Sequence, residues 1–86
     1  MIQRRPGWLT SKVGQELIMM SVQNGVYIGL NEVGARVWEM IASPKDISEL
    51  CGALAEEFDV TAQDCRGEVE SFVAELERRG AVLQAT

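Results

Sequence analysis

The chain has 86 residues and a hydrophobic content of 47%, which predicts one small folded domain over residues 1–86 and argues against disorder. No apolar run approaches the roughly 20 residues of a transmembrane helix, and Arg4 and Arg5 precede no apolar signal segment, so we expect no membrane partner. The formal net charge of −5 divides into +2 over residues 1–31 and −7 over the remainder, and such an acidic surface repels nucleic-acid phosphates.

Before Asn31 the apolar residues recur with a period close to two, which predicts three antiparallel strands. The first strand covers residues 8–12 and turns near Gly14. The second strand is apolar on both of its faces, since residues 17–22 read Leu-Ile-Met-Met-Ser-Val. The sheet is therefore covered on both sides, or one face is left for a partner.

The dipeptide Asn24-Gly25 predicts a two-residue type I′ turn, because both central residues of that turn need positive φ. The third strand then covers residues 26–30 and ends at Asn31, whose side chain suits the N-cap of a helix. A strand that ends on a helix cap leaves a sheet edge beside helices. Such an edge can bind an extended peptide.

After Asn31 the apolar period becomes helical and predicts three helices. The first helix stops before Pro44 and presents one apolar face, formed by Val33, Val37, Trp38 and Ile41. Gly34 in this helix is either a tolerated weakness or a point where the helix closely approaches a strand, and we favour the close approach.

Two capping signals start the other helices. Asp46 and Glu49 have the spacing of a capping box, and Thr61 precedes Asp64 by the same interval. Gly80 suits the end of the third helix. After it, Val82-Leu83 predicts one last short contact.

Four apolar side chains are predicted to be buried. Trp38 and Phe72 are predicted to lie in the hydrophobic core. Cys51 and Cys65 fall on apolar helix faces, which favours buried free thiols, and so a cytoplasmic location, over a disulfide.

Residues near the third strand allow two interpretations. The pair Met19-Met20 either fills the core or belongs to an adaptable binding surface. The hydroxyl of Tyr27 needs a partner or water, which the lip of a groove would supply.

Three strands followed by three helices indicate an α+β fold of the winged helix-turn-helix type. A DNA-binding winged helix is therefore an alternative function, with the third helix reading the duplex. That helix is more acidic than basic, with Asp64, Glu68, Glu70, Glu75 and Glu77 against Arg66, Arg78 and Arg79. Contact with a duplex needs the reverse balance, and a cationic peptide or the basic patch of another protein fits better.

The residue types that carry catalysis or bind metals are mostly missing. Without histidine there is no imidazole for acid–base chemistry or for a zinc site. The two cysteines form no CxxC pair, and no glycine-rich phosphate loop is present. The sequence therefore predicts no catalytic residue, no metal site and no cofactor.

Residues 26–39 resemble the signature of the PqqD family, in which Tyr–x–x–Leu–Asn–x–x–Gly–x–x–aliphatic–Trp joins the last strand to the first helix. Here the segment reads Val-Tyr-Ile-Gly-Leu-Asn-Glu-Val-Gly-Ala-Arg-Val-Trp-Glu. The resemblance continues through residues 46–50, 55–58 and 75–83. It covers nearly the whole chain from Glu16 onward.

This resemblance implies a peptide-recognition element for ribosomally made, modified peptides. Such an element holds the leader of a precursor peptide and presents it to processing enzymes. The leader is expected to lie as an added strand beside the third strand and against the third helix. The strand residues that the resemblance implies are Val26, Tyr27, Ile28, Gly29 and Leu30. On the helix we expect contacts from Arg66, Val69, Glu70, Val73 and Glu77.

A chain of this size most resembles the separate recognition protein of lasso-peptide systems. Its partners would be a transglutaminase-like leader peptidase and an ATP-dependent cyclase. The alternative is a PqqD-type chaperone of pyrroloquinoline quinone synthesis, which serves a radical enzyme. In either case we expect a binding protein rather than an enzyme. The acidic helical surface with Glu56, Glu57, Glu68 and Glu75 either docks the processing enzyme or keeps the protein soluble.

Overall fold

The computed structural model describes residues 1–84, apart from the side chain of Ala62. The elements in order are β1 (Ile2–Arg4), β2 (Trp8–Val13), β3 (Glu16–Ser21), β4 (Tyr27–Leu30), α1 (Glu32–Met40), α2 (Ile47–Phe58), α3 (Ala62–Arg78) and β5 (Val82–Gln84). Strands β2, β3 and β4 form a three-stranded antiparallel sheet, and β1 pairs with β5 separately. The predicted α+β architecture, with this sheet before three helices, is confirmed, and winged helix-turn-helix describes it loosely.

The loop between β3 and β4 differs from the prediction. Gly25 has a positive φ of 67°, whereas Asn24 does not, so the type I′ turn is wrong. Residues 22–25 form a longer loop instead, in which the N–H of Gly25 donates to the carbonyl of Ser21 at 2.9 Å. The hydroxyl of Ser21 accepts from the N–H of Asn24 at 3.2 Å. A loop of this length needs only one residue at positive φ, and β4 consequently starts at Tyr27 rather than Val26.

All three predicted helix caps are present. The side chain of Asn31 accepts from the N–H of Gly34 at 2.9 Å, and Thr61 accepts from the N–H of Asp64 at 3.1 Å. Asp46 and Glu49 form the complete capping box, with bonds of 2.8 and 3.2 Å. Each cap satisfies a backbone donor that lacks a partner inside the helix, which explains why these helices begin where they do.

Gly34 marks a close approach between two helices. A Cβ atom added there would lie 3.1 Å from Cε1 and Cζ of the Phe72 ring on α3. The predicted approach is thus real, but its partner is α3 and not a strand. Because Phe72 comes from a distant part of the sequence, no local pattern could identify it.

The ends of the described chain meet in the small β1–β5 sheet, of which only the contact near Val82 was predicted. The N–H of Ile2 also donates to the carbonyl of Lys45 at 2.6 Å. Next to it, the guanidinium of Arg4 donates to the carbonyl of Trp38 and lies 4.6 Å from the centre of that indole ring. These contacts tie the N-terminal strand to the end of α1.

The core is one cluster of buried side chains between the three-stranded sheet and the helices. The sheet contributes Leu17, Met19, Ile28 and Leu30. Trp38 is buried as predicted, whereas Phe72 packs against the core but is only half-buried. Cys51 and Cys65 are buried and free, which confirms the thiol prediction. None of the helices within residues 1–84 has the length and apolar character needed to cross a bilayer.

Replacement of Trp38 by alanine is expected to lower the free energy of unfolding by about 3–5 kcal/mol, because the large cavity would not be filled. Urea denaturation followed by circular dichroism measures this change. Leu9→Ala is the matched control, since Leu9 is 58% exposed, and it should change the free energy by less than about 0.5 kcal/mol. Equal stability of Trp38→Ala and the wild type would contradict the assignment.

Candidate functional site

One edge of β4 has no strand partner within the described residues, since the sheet order is β2-β3-β4. The N–H of Ser21 donates to the carbonyl of Val26 at 2.8 Å. Hydrogen-bonded pairs alternate along an antiparallel ladder, so the next pairs that exchange bonds are Met19 with Ile28 and Leu17 with Leu30. The N–H and C=O groups of Tyr27 and Gly29 therefore point away from β3. We call this side of β4 the free edge.

The side chains of β4 alternate between two environments. Ile28 and Leu30 are 8% and 4% exposed and pack into the core, whereas Tyr27 is 65% exposed and Gly29 faces outward beside it. A partner strand at the free edge would thus meet accessible backbone groups at Tyr27 and Gly29. The phenol of Tyr27 remains in contact with water, as its hydroxyl requires.

An apolar groove continues from the end of β4. It has a volume of about 160 Å³ and lies between the start of α1 and the first half of α3. We call it the α1–α3 groove; its lining residues are Asn31, Val33, Gly34, Val37, Cys65, Glu68, Val69 and Phe72. Asn31 directly follows β4, so the groove begins at the end of this strand.

Of the predicted helix residues, only Val69 lines this groove. Val73 is buried in the core, and Arg66 and Glu70 form an exposed ion pair with each other at 2.9 Å. Glu77 accepts from the side-chain amide of Gln84 at 3.4 Å, on the side of α3 near β5. A role of these four residues in peptide binding stays a prediction.

The groove-facing residues of α3 that were not predicted are Cys65, Glu68 and Phe72. Together with Val69 they follow i, i+3, i+4 and i+7 spacing, so they share one helix face. The apolar stripe of the sequence contains Cys65, Val69 and Phe72. The sequence therefore indicated that these three residues share an apolar face. Which side of that face meets α1 depends on the packing at Gly34.

Among the described residues, Glu68 is the only charged one that lines the α1–α3 groove. Within residues 1–84 it forms no ion pair or hydrogen bond, whereas two other carboxylates of α3 form ion pairs. Glu70 pairs with Arg66, and Glu75 pairs with Arg78 and Arg79. The groove thus carries an uncompensated negative charge at its wall.

Burial raises the pKa of the Cys65 thiol above its ordinary value. A contact with Cys51 raises this pKa further, and the charge of Glu68 acts in the same direction. The thiol is consequently protonated at neutral pH, which makes it an apolar part of the groove wall rather than a nucleophile.

No described segment covers the opposite face of the three-stranded sheet. Leu9 and Tyr27 lie across from Met20 on neighbouring strands, and Ile18 lies across from Gly29. Leu9, Ile18 and Tyr27 are 58%, 42% and 65% exposed, and we call this surface the outer face. Of the two predicted possibilities, one face left open is the correct one.

The predicted acidic surface is partly neutralised. Glu57 forms an ion pair with Arg36 at 2.9 Å, and Glu39 accepts from Lys12 at 3.2 Å. In the described part of the chain, no three His, Cys, Asp or Glu side chains gather in a way that could hold a metal ion. The chemistry offered by the site is thus main-chain hydrogen bonding next to an apolar groove.

Comparison with known proteins agrees with this geometry. The profile of the PqqD family, described as coenzyme PQQ synthesis protein D, matches residues 16–82. The fold is similar to that of TbiB1 in complex with the TbiA(beta) leader peptide, with a TM-score of 0.86, 20% identity and 98% of each chain covered. It is also similar to lasso peptide synthetase B1 complexed with the leader peptide, with a TM-score of 0.83, 18% identity and coverage of 96% and 98%. No curated protein is significantly similar in sequence.

We expect the thiol of Cys65 to react with iodoacetamide at about pH 8 at least about tenfold more slowly in the folded protein than in urea, because it is buried and its pKa is raised. Mass spectrometry of timed samples measures the rate, and a Cys51→Ser variant assigns it to Cys65. Equal rates in the folded and unfolded protein would show that the thiol is accessible and ionised.

Proposed function

The chain belongs to the PqqD family, and we propose that it binds the leader segment of a ribosomally made precursor peptide as an added strand along the free edge of β4. The side chains of that strand that point inward enter the α1–α3 groove. Binding is non-catalytic, and the domain delivers the leader to a processing enzyme.

The observation that carries this proposal is the free edge itself. It offers the N–H and C=O groups of Tyr27 and Gly29 on a short strand that adjoins an apolar groove. Main-chain hydrogen bonds then supply affinity for an extended peptide, and the groove supplies selectivity for its side chains. Both similar solved structures are complexes with leader peptides, which supports the same occupant here.

The same similarity favours lasso-peptide biosynthesis as the pathway, since one of the two structures is lasso peptide synthetase B1. The enzyme that receives the leader would then be a leader peptidase. The family description supports the alternative, a chaperone in pyrroloquinoline quinone synthesis. The sequence of the leader that this chain binds would distinguish these two.

A binding role without catalysis agrees with the residues available. The chain has no histidine, and its two cysteines are buried with the pKa of Cys65 raised. Free thiols also support a cytoplasmic location, where disulfides are rare. The contribution of the domain is then the effective concentration of the leader near the enzyme.

The processing enzyme needs a surface of its own on the domain. The outer face exposes large apolar side chains at Leu9, Ile18 and Tyr27, and contiguous exposed apolar surface commonly marks an interaction site. The acidic surface at Glu56 and Glu57 is less suited, because Glu57 is already paired with Arg36. We therefore assign enzyme contact to the outer face.

Gly29→Pro is expected to weaken leader binding by about tenfold or more, because it removes the outward N–H of residue 29. The change fits the fold, since Gly29 does not have positive φ and a Cβ there meets nothing within 4 Å. Edge strands accept proline when its nitrogen faces away from the sheet. Isothermal titration calorimetry with a synthetic leader peptide that the wild type binds measures the effect.

Thr10→Pro is the matched control on the opposite edge of the same sheet. The N–H of Val22 donates to the carbonyl of Gly7 at 2.9 Å, so by alternation Thr10 also points away from its partner strand. This variant should bind the leader normally. Proline at Ile28 is unsuitable, since it would remove a bond to β3 in the core. A folded Gly29→Pro protein with unchanged affinity would show that the leader binds elsewhere.

Leu9→Glu is expected to leave leader affinity unchanged while cleavage of the leader by the partner peptidase slows several-fold, because a charge is costly in an apolar interface. The double variant Glu56→Lys and Glu57→Lys tests the acidic surface. With this variant, the partner peptidase should cleave the leader at the wild-type rate. If cleavage of the leader slows with the double variant and not with Leu9→Glu, the enzyme docks on the helices. Cleavage by the purified domain alone would refute the binding role.

A further inference from the structure

We propose that Glu68 selects a basic side chain in the bound peptide, two positions away from an apolar side chain that fills the α1–α3 groove. This inference rests on the proposed function and adds to it a recognition rule for the peptide. The rule follows from the size of the groove, the period of an added strand and the charge of the groove wall.

The groove accepts one apolar side chain. Its volume is about 160 Å³, and an apolar protein cavity of about 150 Å³ is large enough for benzene. Its walls come from Val33, Val37, Val69 and Phe72, together with the protonated thiol of Cys65. Gly34 lets the Phe72 ring form the groove wall close to α1, since a Cβ at this position would lie 3.1 Å from that ring.

The added strand sets the spacing between the two recognised residues. Side chains in a strand alternate between faces, so the peptide residues that lie beside Ile28 and Leu30 point to the same side as these core residues. The groove begins at Asn31, directly after Leu30. Two inward side chains are separated by about 7 Å along the strand, a distance that a lysine or arginine side chain can span.

The charge of the groove determines which side chain is preferred there. Within the described residues, Glu68 is the single acidic or basic side chain of the lining and has no ion-pair or hydrogen-bond partner. The positive end of α1 does not offset it, since Asn31 caps the N–H of Gly34 and Glu32 occupies the first turn. A basic side chain in the peptide would supply the missing partner, whereas an acidic one would be repelled.

The test uses a display library of random fifteen-residue peptides. It is selected in parallel on the wild type, on Glu68→Lys and on the matched control Glu56→Lys. The control carries the same change in net charge on α2, so it separates the local effect of residue 68 from general electrostatic attraction. Both residues are exposed, and circular dichroism verifies that the variants fold.

The wild type and Glu56→Lys should enrich Lys or Arg two positions from an aliphatic residue, and Glu68→Lys should enrich Asp or Glu at that position. For one enriched peptide, changing the basic residue to Glu should lower wild-type affinity about tenfold in fluorescence anisotropy, and Glu68→Lys should restore most of this loss.

The same preference on Glu68→Lys as on the wild type would overturn this inference alone, provided that Gly29→Pro weakens binding of the enriched peptides. Two results would overturn the proposed strand addition and the recognition rule together. One is that the enriched peptides bind Gly29→Pro with the same affinity as the wild type, and the other is that the wild type enriches no peptide.

Discussion

The hydrogen-bond register between β3 and β4 is the constraint on which the rest of the site depends. The bond from Ser21 to Val26 sets which residues of β4 face β3 and which face outward. A slip of one residue would turn Ile28 and Leu30 out of the core and bring Tyr27 and Gly29 in. The core and the free edge are therefore specified by the same register, and neither can change without the other.

The close contact at Gly34 has a similar double role. It lets Phe72 approach α1, and the remaining space beside this contact is the α1–α3 groove. Glycine costs up to about 1 kcal/mol relative to alanine inside a helix. The capping hydrogen bond, which the N–H of Gly34 donates to the side chain of Asn31, offsets part of this cost at the same residue. The first helix thus gives up intrinsic helical stability where the peptide side chain is proposed to enter.

Local chemistry explains what the sequence could predict. The caps at Asn31, Asp46 and Thr61 depend on residues within one helical turn, and the strands follow from a period of two. The β1–β5 sheet depends on how distant segments meet, so β1 was not anticipated. The turn type was wrong because Ser21 closes a longer loop than the dipeptide Asn24-Gly25 indicates. On α3, the apolar stripe was found but not its groove flank. Arg66 and Glu70 were predicted to contact the peptide, whereas Glu68 and Phe72 line the groove. These pairs lie on different sides of α3, and only the contact between Phe72 and Gly34 determines which side faces α1.

The sheet has two open edges, and their difference explains why only one of them is suited to recognition. By alternation, β2 presents outward backbone groups at Trp8, Thr10 and Lys12, just as β4 presents them at Tyr27 and Gly29. Backbone hydrogen bonds are nearly independent of sequence, so they cannot favour one edge or one peptide. Among the described strands, the α1–α3 groove adjoins only β4, since its lining begins at Asn31 directly after this strand. Selectivity in this domain must therefore arise from side chains beside the edge, and the free edge contributes affinity to whatever peptide those side chains accept.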